Sequence, residues 1–108
     1  MLDDQEFQSY CDEALRQLDK SLGKAADAYG FEVDFSSGAI KIEFEDPPAK
    51  FVVSPNSPVR QIWLSAHSKS YKFDWDPARG AFALPGGPTL SESVAEAIAK
   101  QLGEPVTL

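Results

Sequence analysis

Ser54-Pro55-Asn56-Ser57-Pro58-Val59-Arg60-Gln61-Ile62-Trp63-Leu64-Ser65 is the stretch on which the reading of this chain depends. From Gln61 the side chains alternate polar and apolar until Trp63 breaks the pattern. Successive strand side chains point to opposite faces. With Ile62 and Leu64 facing a core, Gln61, Trp63 and Ser65 share the other face, and an indole is set on the wet side of a sheet. One ordinary explanation is a cover by a loop or helix, or a single scattered surface apolar residue. The other is a binding surface, because tryptophan is enriched among interface anchors. Asn56, Arg60 and Gln61 supply hydrogen-bonding groups nearby, and Pro55 and Pro58 stiffen the approach to the strand.

The flanking segments carry the same alternation. Residues 70–76 set Tyr71, Phe73 and Trp75 on one face and Lys72 and Asp74 on the other. Upstream, Phe31-Glu32-Val33-Asp34-Phe35 and the run Ala39 to Glu45 alternate around Ser36-Ser37-Gly38, which predicts a β-hairpin with Glu32, Asp34, Glu43 and Glu45 outward. Asp46-Pro47-Pro48 reads as a break, followed by a short strand from Lys50 to Val53. Ala66 to Ser70 reads as a loop holding the only histidine, His67, and Ala81 to Leu84 as a short strand before the breaker Pro85-Gly86-Gly87-Pro88.

Helical spacing appears at both ends. Phe7, Cys11, Leu15, Leu18, Leu22 and Ala25 recur at intervals of three and four, predicting a helix from residue 3 to about 26 with Asp3 or Asp4 as its cap. Gly23 is expected to bend or fray its last turns, and Arg16 stands four residues after Asp12, where an ion pair is available. Thr89-Leu90-Ser91-Glu92 fits a capping box, and Leu90, Val94, Ile98 and Leu102 run from it to Gly103. The tail Glu104 to Leu108 is apolar enough to dock between elements. The expected fold is α+β: two helices packed on one face of an antiparallel sheet of five to six strands, in the order α-β-β-β-β-β-β-α, with the other face open.

A chain of 108 residues suits one domain, spanning 1–108. A single cysteine excludes an internal disulfide framework, and one Cys with one His cannot build a four-ligand zinc site. No apolar run reaches the length of a membrane span, and the acidic start lacks the pattern of a signal or transit peptide, so a cytoplasmic protein is expected. Charge is uneven: residues 1–46 hold twelve acids and four bases, whereas residues 47–108 hold five acids and six bases. An acidic half repels nucleic acid and acidic lipid, and attracts cations or basic protein surfaces.

No nucleophile elbow, phosphate loop or metalloprotease helix occurs, so the residues point to a binding domain. Two surfaces are candidates. The first is an acidic strip of Asp4, Asp12, Asp19, Asp27, Glu32, Asp34 and Glu43, adjoined by Glu45. Carboxylates without His or Cys suit hard cations and Fe²⁺ held weakly with water. Residue spacing alone favours a plain solvated face for the strip, and electrostatic docking on a basic partner is a third reading that needs no metal. The second surface is the open sheet, with Asn56, Gln61, Trp63, Lys72 and Asp74 forming an aromatic anchor and a polar rim.

These residues resemble the frataxin family, in its bacterial branch. The likeness spans nearly the whole chain and is carried by the acidic helix around Phe7, by Gly38-Ala39-Ile40-Lys41-Ile42-Glu43-Phe44, and above all by Asn56 to Ser65, similar to the family's N/Q-x-P-x-x-Q-I/V-W-L signature. Tyr71-Lys72-Phe73-Asp74-Trp75 and the closing helix follow in family order. The resemblance implies a sandwich of two helices on a curved antiparallel sheet. It implies an iron-binding accessory protein, without organic cofactor, that docks on cysteine desulfurase and the iron–sulfur scaffold protein, regulates the desulfurase and delivers Fe²⁺. Fe²⁺ or Fe³⁺ would lie on the acidic ridge, and Asn56, Gln61 and Trp63 would meet the partner. Lys72 stands where relatives often carry Arg, which keeps the charge and loses the bidentate fork. At the end of the first helix this chain reads Gly23-Lys24-Ala25-Ala26-Asp27, poorer in acids than the family pattern, and Lys20 and Lys24 lower the negative potential there. A metal-independent acidic interaction module is the alternative function, and a weak ferroxidase a third. The expected state is a monomer, with oligomers in the presence of iron left open.

Overall fold

A computed structural model describes residues 3–45 and 48–108. Its elements run α1 (Asp4–Tyr29), β1 (Glu32–Ser36), β2 (Ala39–Glu45), β3 (Pro48–Asn56), a 3₁₀ turn (Ser57–Val59), β4 (Gln61–Ala66), β5 (Lys69–Asp76), β6 (Ala81–Ala83) and α2 (Leu90–Leu102). The six strands form one sheet in chain order, each antiparallel to the next. Connections this short can only give antiparallel neighbours, so the meander follows from the loop lengths. This is the fold expected from the alternation and the two helical stripes.

Both helices are closed by local chemistry. Asp3 caps α1 by accepting from the Glu6 amide, while Glu6 reaches back to the Asp3 amide; Thr89 and Glu92 repeat the same box on α2. Gly30 and Gly103 end them at φ 81° and 73°, a left-handed conformation that glycine adopts without a Cβ clash. The predicted stripe Phe7, Cys11, Leu15, Leu18, Leu22 and Ala25 is the buried face of α1. It packs with Val94 and Ile98 of α2 over Ile40, Ile42, Phe51, Val53, Ile62, Leu64 and Phe73 of the sheet, all at most 2 % exposed. Burying a large aliphatic or aromatic side chain contributes about 1.5–3 kcal/mol, so this single layer supplies most of the driving force.

Several boundaries differ from the expectation. The first helix continues through Gly23 to Tyr29, because its apolar stripe extends to Ala25 and outweighs the ~1 kcal/mol by which glycine disfavours a helix. Arg16 pairs with Glu13 at 3.2 Å, leaving Asp12 to accept from Gln8 at 2.8 Å. The third strand is longer than Lys50 to Val53. Pro48 is its first residue, and Pro55 pairs only with Ile62 beyond the last β2–β3 pair, an edge position that tolerates proline. The Asp46-Pro47 part of the expected break lies outside the described residues. The expected loop from Ala66 to Ser70 is a two-residue turn, with His67 and Ser68 at φ 52° and 64°. The tail docks as expected: Val106 and Leu108 pack on the core, and the Tyr29 hydroxyl donates to the Pro105 carbonyl at 3.3 Å.

Candidate functional site

Register converts the alternation of β4 and β5 into an ordered surface. Asn56, Gln61 and Asp74 are direct cross-strand neighbours, and so are Ser54, Trp63 and Lys72, all on the face away from the helices. The Trp63 indole N–H donates to Gln61 Oε1 at 3.0 Å, and Gln61 Nε2 donates to Asp74 Oδ1 at 3.1 Å. Because indole only donates and carboxylate only accepts, a single orientation of the Gln61 amide serves both. The Lys72 ammonium lies 4.9 Å from the centre of the Trp63 ring, a cation–π contact of about 0.5–1 kcal/mol at an exposed site. Trp63 is half-buried within this block, held by its neighbours on the sheet. The five residues of the predicted sheet surface therefore stand together.

The acidic strip is arranged differently. Asp4 is bound to Arg60 at 2.7 Å, a link that ties the start of α1 to the turn before β4. Asp12 is engaged by Gln8, and Asp34 accepts from Ser36 Oγ at 3.1 Å and faces Lys41 across the hairpin. Asp19 and Asp27 lie further along α1. Glu32 and Glu43 are directly opposed on β1 and β2, with Lys50 beyond Glu43. Directly opposed like charges are destabilising, so this pair favours a cation between or beside its carboxylates. Among the described residues no three of His, Cys, Asp and Glu form a group able to hold a metal ion. The chemistry that the strip supports is weak, water-completed cation binding or long-range attraction.

Three features of the neighbourhood lacked a strong sequence signal. Arg60 adopts φ 51° to close the 3₁₀ turn, and its long-range ion pair with Asp4 spans most of the first half of the chain. Tyr10 stacks on Trp75 with ring centres 4.2 Å apart, and only its place three residues after Phe7 hints at this. His67, expected as a plain surface residue, is half-buried: its ring edge packs on Phe51 and Nε2 lies 3.2 Å from the Ala97 carbonyl. Burial pushes the Cys11 thiol up to about 11, with Asp12 adding to the shift, so it stays a protonated core residue at neutral pH.

Comparison with known proteins agrees with this architecture. The model of the frataxin-like domain matches residues 1–104. A protein named iron-sulfur cluster assembly protein CyaY, from Dechloromonas aromatica, is 31% identical over 110 residues, covering 99% of both chains. A protein of the same name from Azotobacter vinelandii is 32% identical over 74 residues, covering 68% of this chain and 66% of its own. The frataxin structure from Psychromonas ingrahamii superposes with a TM-score of 0.76 at 23% identity, covering 98% of this chain and 97% of that one, which shows the shared fold. With the domain model and a full-length relative in agreement, this chain belongs to the frataxin-like family, in its bacterial branch.

Proposed function

We propose that this chain is an accessory protein of iron–sulfur cluster assembly that docks on cysteine desulfurase and its scaffold partner through the open sheet face, and carries Fe²⁺ loosely as cargo on its acidic edge. The observation that carries the docking half is the fixed block of Trp63, Gln61, Asp74 and Lys72. A preorganised aromatic anchor with a hydrogen-bonded rim loses little side-chain entropy on binding. The names of the bacterial relatives support the pathway. For the cargo half, the opposed Glu32 and Glu43 supply the support, as a repulsion that a cation relieves. The affinity would be low, since hard cations need more oxygen ligands than two carboxylates provide.

The test is a desulfurase pull-down with Trp63→Ala, with and without Fe²⁺. The substitution is expected to weaken capture at least tenfold while circular dichroism stays native, because Ile62 and Leu64 carry the inward face. Undiminished capture would sink the docking reading. For iron, Fe²⁺ should shift NMR signals of Asp12, Asp19, Glu32, Asp34 and Glu43 selectively; scattered shifts would remove the cargo.

A second reading is a metal-independent acidic module that meets a basic partner patch. It is favoured by the engagement of Asp4, Asp12 and Asp34 with Arg60, Gln8 and Ser36, which leaves them poorly placed as ligands. On this reading high salt dissolves the complex and iron changes nothing.

A further inference from the structure

Away from both surfaces, a cleft of about 220 Å³ opens between the β4–β5 turn and α2. It is lined by His67, Lys69, Tyr71, Ser93, Glu96 and Lys100, among others. In a chain of net charge −7 this is a place where two lysines meet one acid. Neither Lys69 nor Lys100 forms an ion pair among the described residues. Ser93 is 9 % exposed, and its Oγ is buried without a hydrogen-bond partner. Mid-helix serine ordinarily turns back onto the carbonyl four residues earlier, and a buried hydroxyl left alone is costly. The turn itself is strained: His67 and Ser68 both hold positive φ, a geometry usually given to Asn-Gly. That turn keeps His67 against the helix, with Nε2 donating to the Ala97 carbonyl. Lys100 sits in the last turn of α2, where a cation offsets the negative helix end that would otherwise repel an anion.

We propose that this cleft binds a small protonated oxyanion, with inorganic phosphate the fitting species: Lys69 and Lys100 supply charge, Ser93 Oγ donates, and Glu96 accepts the ligand's own proton. Glu96 decides the class. A carboxylate beside the site repels a fully deprotonated anion, yet it hydrogen-bonds one that still carries O–H. At neutral pH inorganic phosphate retains a proton, whereas sulfate and the dianionic form of a phosphate monoester do not.

The experiment is an NMR titration of the full chain at pH 7 and constant ionic strength, with phosphate, sulfate and phosphoserine as separate probes. Phosphate is expected to shift the His67, Ser93, Glu96 and Lys100 amides along one saturable curve, with sulfate and phosphoserine each about tenfold weaker. Ser93→Ala and Lys100→Gln, both suited to a helix, should each reduce phosphate affinity several-fold, and Glu96→Gln should erase the preference over sulfate. Unsaturated shifts spread over the surface would overturn the site, as would equal affinity for sulfate in the parent chain. A preference for phosphoserine would overturn the assignment to free phosphate, and unchanged binding by both Ser93→Ala and Lys100→Gln would remove the cleft as its location.

Discussion

The acidic strip holds more candidate residues than the sheet face, but only the sheet face is a constructed surface. On β3, β4 and β5 the register places Asn56, Gln61 and Asp74 in one row and Ser54, Trp63 and Lys72 in the next, so side chains distant in sequence touch. On α1 and the β1–β2 hairpin the carboxylates follow a helix flank and two strand edges, and Asp4, Asp12 and Asp34 engage neighbours of their own. A strand ladder fixes neighbours at about 5 Å, whereas a helix flank spreads residues seven apart by roughly 10 Å. The proposed function accordingly assigns recognition by shape to the sheet and attraction by charge to the strip.

The harshest way to break the contrast is to remove what both surfaces share. Phe73 is fully buried opposite Ile62, directly behind the Trp63 block. Phe73→Ala should cost about 3–5 kcal/mol in urea unfolding, a large share of the stability of a domain this size. Docking and cation binding should then fail together. A loss confined to docking would mean that the acidic strip is supported independently of the core behind the sheet face.

A sharper cut acts on the block alone. Gln61→Ala takes the acceptor from the Trp63 indole and the donor from Asp74, at a stability cost of about 1 kcal/mol. Its signature should be faster exchange of the Trp63 indole N–H, with the Trp75 indole unchanged. Partner affinity should fall by more than the stability does, since a loosened anchor gives up its preorganisation.

Most of this platform is legible in the sequence. Period-two alternation located four strands and sent Trp63 outward, and the α1 stripe matched its buried face residue for residue. Capping chemistry fixed the start of α2 at Thr89, because Thr and Glu three apart have one local use there. What escaped was non-local or against type. The His67-Ser68 turn lacks the glycine or asparagine that announces a two-residue hairpin, so it read as a loop, and the burial of His67 depends on α2 thirty residues later. The Asp4–Arg60 link and the Tyr10–Trp75 stack likewise join segments whose separation no periodicity encodes. Along α1, spacing places the charges but not their partners: Arg16, expected to pair with Asp12, pairs with Glu13 one turn away instead.

Acid pH offers a gentler probe of the sheet end. Asp76, at the close of β5, receives Arg79 Nε at 2.8 Å and the Ala78 amide at 3.0 Å. The Arg79 hydrogen bond, foremost, holds its carboxyl below the usual 3.8. A carboxylate with a depressed folded value adds stability above the unfolded value, and that stability is lost as pH falls through the folded one. Stability should thus decline below pH 3.8, and Asp76→Asn should flatten that part of the curve. The Trp63 indole signal should stay native until the global transition, as Asp76 lies outside its hydrogen-bonded block.

The smallest effects should come from single carboxylates of the strip. Asp12→Asn or Asp27→Asn removes one exposed charge, and changes in stability should stay within about 0.5 kcal/mol. Their mark on docking should be kinetic. Charges at the rim steer encounter, so each loss should slow association slightly and lower its salt dependence while dissociation stays constant. Trp63→Ala should do the reverse, speeding dissociation with association nearly unchanged. Stopped-flow association at two salt concentrations separates the two. If Asp12→Asn accelerates dissociation as much as Trp63→Ala does, the strip is itself a contact surface, and the division between attraction and recognition fails.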